Sequence, residues 1–325
     1  MTDYRLVTRS FGGPEVIESE PLGLAPVAPG QVRIRHRAVG LNFIDVYRRT
    51  GLYPADLPSA MGTEAAGVVE AVGEGVTEVT VGDRVGYVSG PLGACATVRD
   101  LAPEHLIPLP DAVSDEVAAA SLLKGITAAF LIEECAKVQP GQSVLVHAAA
   151  GGLGSILVQW LHRLGAHVIA HASTPEKAAA AQADGADVAL SVPLDQLAAA
   201  VREATGGRGV DVVFDGVGAD SWAASLASVA KRGLLVTYGN ASGPVPAFNP
   251  LELMRAGSIF VTRPTMNDYA TTPEERRDLS SRLFALIETG AVKIAIGQTF
   301  PLDQAADAHR ALEGRRTTGS TVLTV

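Results

Sequence analysis

The chain has 325 residues, 47% of them hydrophobic, and its 26 Lys and Arg against 35 Asp and Glu leave a formal charge of -9. That length holds two ordinary domains with a core each, and that hydrophobic content excludes a disordered chain. The acidic balance offers no general attraction to a polyanion, so nucleic acid is not an expected partner.

The opening "MTDYRLVTRSFGG" has no apolar core of signal-peptide length, and no uninterrupted apolar span is long enough to cross a bilayer, so no membrane association is expected. From Met1 to about Lys124 the chain is made of short β-like runs broken by Gly and Pro, among them "VRIRHRAVGLN", "GVVEAVG", "DRVGYVSG" and "ATVRD". Cys95 and Cys135, the only cysteines, are too few for a disulfide framework or a cysteine-based structural zinc site, and they fit a reducing cytoplasm.

From about Gly125 the rhythm changes, starting with a helix at "TAAFLIEECAKV" and a stop at Pro140-Gly141. Strands are predicted at 144–147, 167–171, 187–190, 210–215, 233–238 and 259–261. Helices are predicted between them at 152–164, 175–183, 194–204, 219–230 and 250–256. This β-α alternation predicts an α/β fold with a six-stranded, doubly wound parallel sheet of the Rossmann type. The tail, with a helix over 273–289 and β-like pieces at "KIAIGQTF" and "TVLTV", has no place in a completed sheet and is expected to return to the N-terminal domain. The domains expected are therefore 1–124 with 263–325, and 125–262.

The stretch "VLVHAAAGGLG" resembles a dinucleotide-binding turn whose first glycine is replaced by Ala149. Within Ala150, Gly151, Gly152, Leu153 and Gly154, the glycines Gly151 and Gly154 hold the second and third fingerprint positions. The second lets the backbone approach a pyrophosphate, and the third lets the helix pack closely on the strand. The following helix then offers amides and the positive end of its dipole. Ala149 can serve at the tight turn if its φ stays negative.

Past the second strand the chain reads "HVIAHASTPEK", with no acid to bind a ribose 2′-hydroxyl. Ser173, Thr174 and Lys177 can donate to a 2′-phosphate, which favours NADPH. The alternative is that Ser173 and Thr174 only cap the next helix, with Pro175 at its first position.

"GGPEV", "GLNFIDVYRRTGLYP", "GTEAAGVVEAVGEGV", "GDRV", "LLKGITA", "HAAAGGLG", "YGNASG", "VTRPT" and "RRTTGS" occur in order and together resemble the quinone oxidoreductases, the zeta-crystallin-like, zinc-independent branch of the medium-chain dehydrogenase/reductase superfamily. The resemblance implies a GroES-like, β-rich catalytic domain, a Rossmann domain that binds NADPH, a leading alanine in "AAGGxG", and an active site in the cleft between them. It also implies reduction of a quinone. Where zinc-dependent members carry a cysteine and a histidine, this chain has Asn42 and Thr63, and an amide and a hydroxyl do not replace thiolate and imidazole as ligands. Metal-free chemistry is therefore expected.

By the same resemblance Asn42, Asp45 and Tyr47 lie beside the nicotinamide, and Asn42 and Tyr47 are candidate partners of the quinone oxygens. Tyr47 as a packing residue, and Asp45 paired with Arg48 or Arg49 on a surface turn, stand as alternatives. Lys124 and Thr127 are placed near the nicotinamide half of the cofactor, Tyr238, Gly239, Asn240 and Ser242 on the loop after the fifth strand, and Arg263 and Arg315 on the returning tail. Val192 stands where the family often has an aromatic residue, and Gly216 where close relatives can have a hydroxyl side chain; both bear on the preference for NADPH. An enal or enone reductase is the alternative activity, and a structural or RNA-binding protein the alternative of another class. A homodimer is expected through the edge strand "SIFVTRP".

Overall fold

The computed structural model describes residues 2–88 and 90–325; Ser89, within the predicted run "DRVGYVSG", and Met1 lie outside the described residues. The chain forms two compact units, one of Met1–Lys124, Thr272–Glu288 and Ile294–Val325, the other of Gly125–Thr271 and Thr289–Lys293. The return to the first unit comes at Thr272, not at residue 263. The intervening segment stays with the second unit because Tyr269 stacks on Phe130 with ring centroids 4.8 Å apart.

In the first unit a seven-stranded sheet is built around the strand Val32–Leu41. That strand pairs antiparallel with Glu64–Val72, with Val98–Leu101 and with the closing strand Ser320–Thr324. Register shifts between Arg33 and Ile34 and between His36 and Ala38 bend it, as bulges do. Its inward residues Val32, Ile34, Val39 and Leu41 join Ala65, Val69, Val85 and Leu323 in one apolar cluster. Truncating such a Leu or Ile to Ala costs about 2–5 kcal/mol, enough to threaten a domain of ordinary stability.

Two helices matter for the site, α1 (Phe43–Arg49) and α2 (Asp115–Ala129). The sequence predicts β-like text up to about Lys124 and a helix at "TAAFLIEECAKV", with the alanine run at 118–120 read as a helix face. The helix starts at Asp115 instead, and Phe130–Cys135 continues it with wider π-type turns. Its Ala118, Ala119 and Ala120 are all buried, so the alanine run is a packed face.

In the second unit six strands, β1 (Ser143–Val146), β2 (His167–His171), β3 (Val188–Leu190), β4 (Val210–Asp215), β5 (Val229–Thr237) and β6 (Phe260–Thr262), run parallel in the order β3-β2-β1-β4-β5-β6. This is the doubly wound α/β sheet, with its switch point between β1 and β4. Helices α3 (Gly152–Leu164), α4 (Pro175–Ala183), α5 (Leu194–Ala204), α6 (Trp222–Ser228) and α7 (Pro250–Arg255) alternate with the strands. Leu145, Ile169, Leu197, Val201, Val213 and Leu235 share a buried core.

The fourth crossover departs from expectation. β5 begins at Val229, four residues early, and shortens α6 to seven residues. Val210 pairs with Val229 and Val212 with Leu234, so Ala230–Gly233 form an irregular insert, with Arg232 in the left-handed region at φ 59°.

Candidate active site

In the second unit the dinucleotide-type turn follows β1 directly. The left-handed residue of the turn is Ala148, at φ 49°, while Ala149 keeps a negative φ as the alanine at that position requires. A Cβ on Gly154 would come within 2.3 Å of the Ala148 carbonyl oxygen, so only glycine allows α3 to approach the turn so closely. Gly151 caps α3 without a side-chain hydrogen bond, and the first-turn amides therefore have no side-chain acceptor. Such a helix start fits a pyrophosphate.

Thr174 caps α4, its Oγ1 accepting the Lys177 amide at 3.3 Å, with Pro175 at the first helical position. Capping and phosphate recognition need not compete here, because Ser173 is exposed and the half-buried Lys177 side chain stands one turn into α4. Val192 packs on the core cluster through its side chain, and its carbonyl oxygen lies 3.0 Å from His171 Nε2.

Gly216 has a local cause. A Cβ there would meet the Tyr238 ring at 2.6–2.9 Å, and a Cβ on Gly239 would meet the Gly216 carbonyl oxygen at 2.3 Å. A side chain at 216 would therefore require the aromatic ring at 238 to shift. Ser242 closes the same loop, donating to the Val217 carbonyl at 2.9 Å and accepting the Asp220 amide at 3.0 Å. Asn240 and Arg263 line a groove of about 620 Å³ with Trp222, Thr237 and Phe248. Arg263 therefore belongs to the second unit, at the end of β6, and not to a returning tail. Thr127 is half-buried in α2, also in the second unit. Arg315 is in the first unit, exposed and left-handed at φ 56°.

The first unit carries a buried polar cluster. Gly40 pairs with Glu64 across the sheet, and Asn42 follows two residues later as the cap of α1. A Cβ on Gly40 would sit 2.1 Å from the Ala119 carbonyl oxygen and 2.4 Å from Glu64 Oε2, so this glycine lets the carboxylate and the α2 backbone come together. Glu64 is 0% exposed. Its Oε2 accepts Asn42 Nδ2 at 2.8 Å, its Oε1 accepts the Leu123 amide at 2.6 Å, and Lys124 Nζ lies 3.8 Å from Oε2. Burial pushes the Glu64 carboxyl up, opposed first by the Lys124 ammonium. Burial pushes Lys124 down, and Glu64 is the chief group holding it charged. Lys124 is 7% exposed, and Nζ has no hydrogen-bond partner among the described residues within ordinary distance.

Asp45 accepts the Asn42 amide at 2.9 Å and the Thr63 hydroxyl at 3.2 Å, and burial raises its carboxyl to about 6. It is buried, and its neighbour Arg49 pairs with Glu313, so Asp45 is not part of a surface turn. Tyr47 is buried, its ring 6.0 Å from that of Phe43 and 5.2 Å from that of Tyr53. The structure thus joins Asn42, Asp45 and Lys124 through Thr63 and Glu64. Glu64 was missed as a candidate; its signal was a lone carboxylate opening the otherwise uncharged run "EAAGVV".

Zinc does not fit this cluster. Asn42 and Thr63 bring an amide and a hydroxyl that are already hydrogen-bonded to Glu64 and Asp45, and no three His, Cys, Asp or Glu side chains among the described residues gather as a metal site.

A dinucleotide-type parallel sheet, with a separate β-rich unit that holds the buried acid, amide and ammonium, defines a nucleotide-dependent oxidoreductase of the medium-chain dehydrogenase/reductase class. Residues 28–132 match the family model described as alcohol dehydrogenase GroES-like domain, and residues 164–323 match that described as zinc-binding dehydrogenase. A quinone oxidoreductase of Pseudomonas aeruginosa is 49% identical over 320 residues, 98% of each chain. The structure of Escherichia coli quinone oxidoreductase complexed with NADPH superposes with a TM-score of 0.96 at 42% identity, covering 99% of this chain and all of that one. A 2-haloacrylate reductase of Burkholderia is 43% identical over 98% of this chain and 97% of its own. The chain belongs to the quinone oxidoreductase family.

Proposed function

We propose that the chain reduces a quinone with NADPH, and that the buried cluster Asn42–Glu64–Lys124 prepares the acceptor side of that reaction. The bound nicotinamide would supply a hydride, two electrons and one proton; the hydroquinone needs one further proton from a side chain or from water. The turn Ala150–Gly154 would hold the pyrophosphate, Ser173 and Lys177 would meet the 2′-phosphate, and Thr127, Tyr238, Gly239, Asn240, Ser242 and Arg263 of the second unit would complete the cofactor's surroundings; Arg315, in the first unit, is a further candidate.

One observation carries this reading: a buried ammonium at Lys124 whose chief counter-charge is Glu64, 3.8 Å away. In a low-dielectric setting such a donor stabilises negative charge developing on an acceptor oxygen far better than it does in water. Asn42 is held by two carboxylates, its backbone amide by Asp45 and its side chain by Glu64, so its position is fixed before any acceptor arrives. Tyr47 is the candidate donor of the second proton, and metal plays no part in this scheme.

An activated alkene is the second reading, favoured by the relative named 2-haloacrylate reductase. Both acceptors place developing negative charge on an oxygen, which the same ammonium serves. Steady-state NADPH oxidation with a panel of quinones and alkenals separates them; turnover of the alkenals alone would remove the quinone reading.

The same proposal includes a homodimer formed along β6. That strand is the free edge of its sheet, and Phe260 is 64% and Met254 59% exposed. A monomeric mass in solution would remove it. Two free cysteines, and no helix among the described residues long and apolar enough to cross a membrane, support a cytoplasmic location.

A further inference from the structure

His147, Ser225 and Asp215 lie outside every site assignment above, yet all three are buried and hydrogen-bonded in series. Ser225 Oγ is 2.6 Å from Asp215 Oδ2 and 2.9 Å from His147 Nε2. Asp215 also accepts the amides of Val217 and Gly218 on Oδ1, at 2.8 and 3.2 Å, and the Ser221 hydroxyl at 2.7 Å on Oδ2. A hydroxyl has one hydrogen, and the carboxylate can only accept it. Ser225 therefore donates to Asp215 and must receive the proton of His147 Nε2, which leaves His147 Nδ1 bare.

The series continues across the sheet. The His147 and His171 rings meet edge to face at 5.4 Å, and His171 Nε2 donates to the Val192 carbonyl at 3.0 Å. The Ala149 amide donates to the His171 carbonyl at 3.1 Å. The carboxyl ends of β1, β2, β3 and β4 are thus tied through His147, His171, the Val192 carbonyl and Asp215, with Ser225 of α6 as the link between His147 and Asp215. His147 and Asp215 stand on the two sides of the switch point, where doubly wound sheets receive their ligand. His147 also immediately precedes left-handed Ala148 and the turn to Gly154.

We infer that His147, Ser225 and Asp215 are positioning residues for the dinucleotide: they lock His147 in the Nε2-protonated tautomer and so fix the 148–154 and 216–218 turns relative to each other. Burial, which lowers the imidazole to about 4, keeps His147 neutral at working pH and the tautomer single. This rests on the cofactor reading given above, but the tautomer is a property of the protein without cofactor.

Nitrogen-15 spectra of histidine-labelled protein, free of nucleotide, read the tautomer directly. Wild-type protein should show His147 protonated on Nε2 alone. In Asp215→Asn the new amide donates to Ser225, whose hydroxyl then turns to His147 and moves the imidazole proton to Nδ1. Ser225→Ala should give a mixed tautomer and weaken NADPH binding about tenfold, the equivalent of one buried hydrogen bond, with kcat at saturation little changed. Ser225→Thr, which keeps the hydroxyl, should restore both the tautomer and the affinity.

A wild-type His147 protonated on Nδ1 overturns the inference. So does a Ser225→Ala variant that binds NADPH as wild type does, with the cofactor reading intact. Wild-type protein that fails to bind NADPH at all overturns both, even if the tautomer is as stated.

Discussion

Glu64→Gln removes the carboxylate that faces Lys124 while keeping the size of the side chain. At 3.8 Å and an effective dielectric of about 20, the lost attraction is about 4 kcal/mol. Burial already lowers Lys124, so without Glu64 it loses its proton at a pH where the wild-type residue is still charged. The amide also brings a donor to the place where Asn42 Nδ2 donates. The assay is kcat/KM for a quinone at saturating NADPH, measured against pH. The alkaline limb should move to lower pH, and the loss of rate should be largest above neutrality and smaller in acid. Lys124→Met should match the variant in rate, and the double variant should be no slower than either single one, since the two side chains act as a pair. An unmoved alkaline limb together with additive losses would refute the reasoning that Glu64 acts through Lys124.

Lys177→Ala should raise KM for NADPH and leave that for NADH unchanged; equal effects on both would show that Lys177 does not read the 2′-phosphate. Gly216→Ser should displace the Tyr238 ring and cost about 1–3 kcal/mol in chemical denaturation, and Tyr238→Ala in the same chain should recover part of it, because the clash is with that ring. His36 and His147 are held near 4 and His309 near 3 by burial, against an ordinary 6.5. The unfolded chain then takes up protons first as pH falls, so their contribution to stability is complete above about 6.5 and is lost progressively toward 4, by about 3 kcal/mol each. Asp45, raised by burial to about 6, works the other way between 6 and 3.8, where the folded state binds the proton more tightly, and so offsets part of that loss. Denaturant melts at pH 7 and pH 5 should show the net fall, and His36→Gln should reduce it.

The helices 152–164, 175–183 and 194–204 were legible to the residue, because each carries its own punctuation or period. Gly165 ends α3 in the left-handed region at φ 84°, Thr174 and Pro175 open α4, and α5 has a clean apolar stripe at Leu197 and Val201. The start of α2 at Asp115 was not legible, although its alanine run reads as a helix face, since Ala118, Ala119, Ala120 and Leu122 are buried together and lack the contrast that a periodic reading needs. Asn42 and Asp45 came from the resemblance, and the structure supplies what joins them. Glu64 acts only because Gly40 is opposite it and α2 folds over both, a contact between residues far apart in the chain. Gly216 looked like a weakened cofactor contact; it is the complement of Tyr238, which no local pattern announces.

The most direct test of the central claim is the anaerobic stoichiometry of the reaction. Purified protein, NADPH and a quinone should yield one hydroquinone for each NADPH oxidised, with the NADPH consumption absent when the quinone is left out. NADPH that is oxidised only when an alkenal is supplied, with no hydroquinone formed from any quinone, would contradict the account.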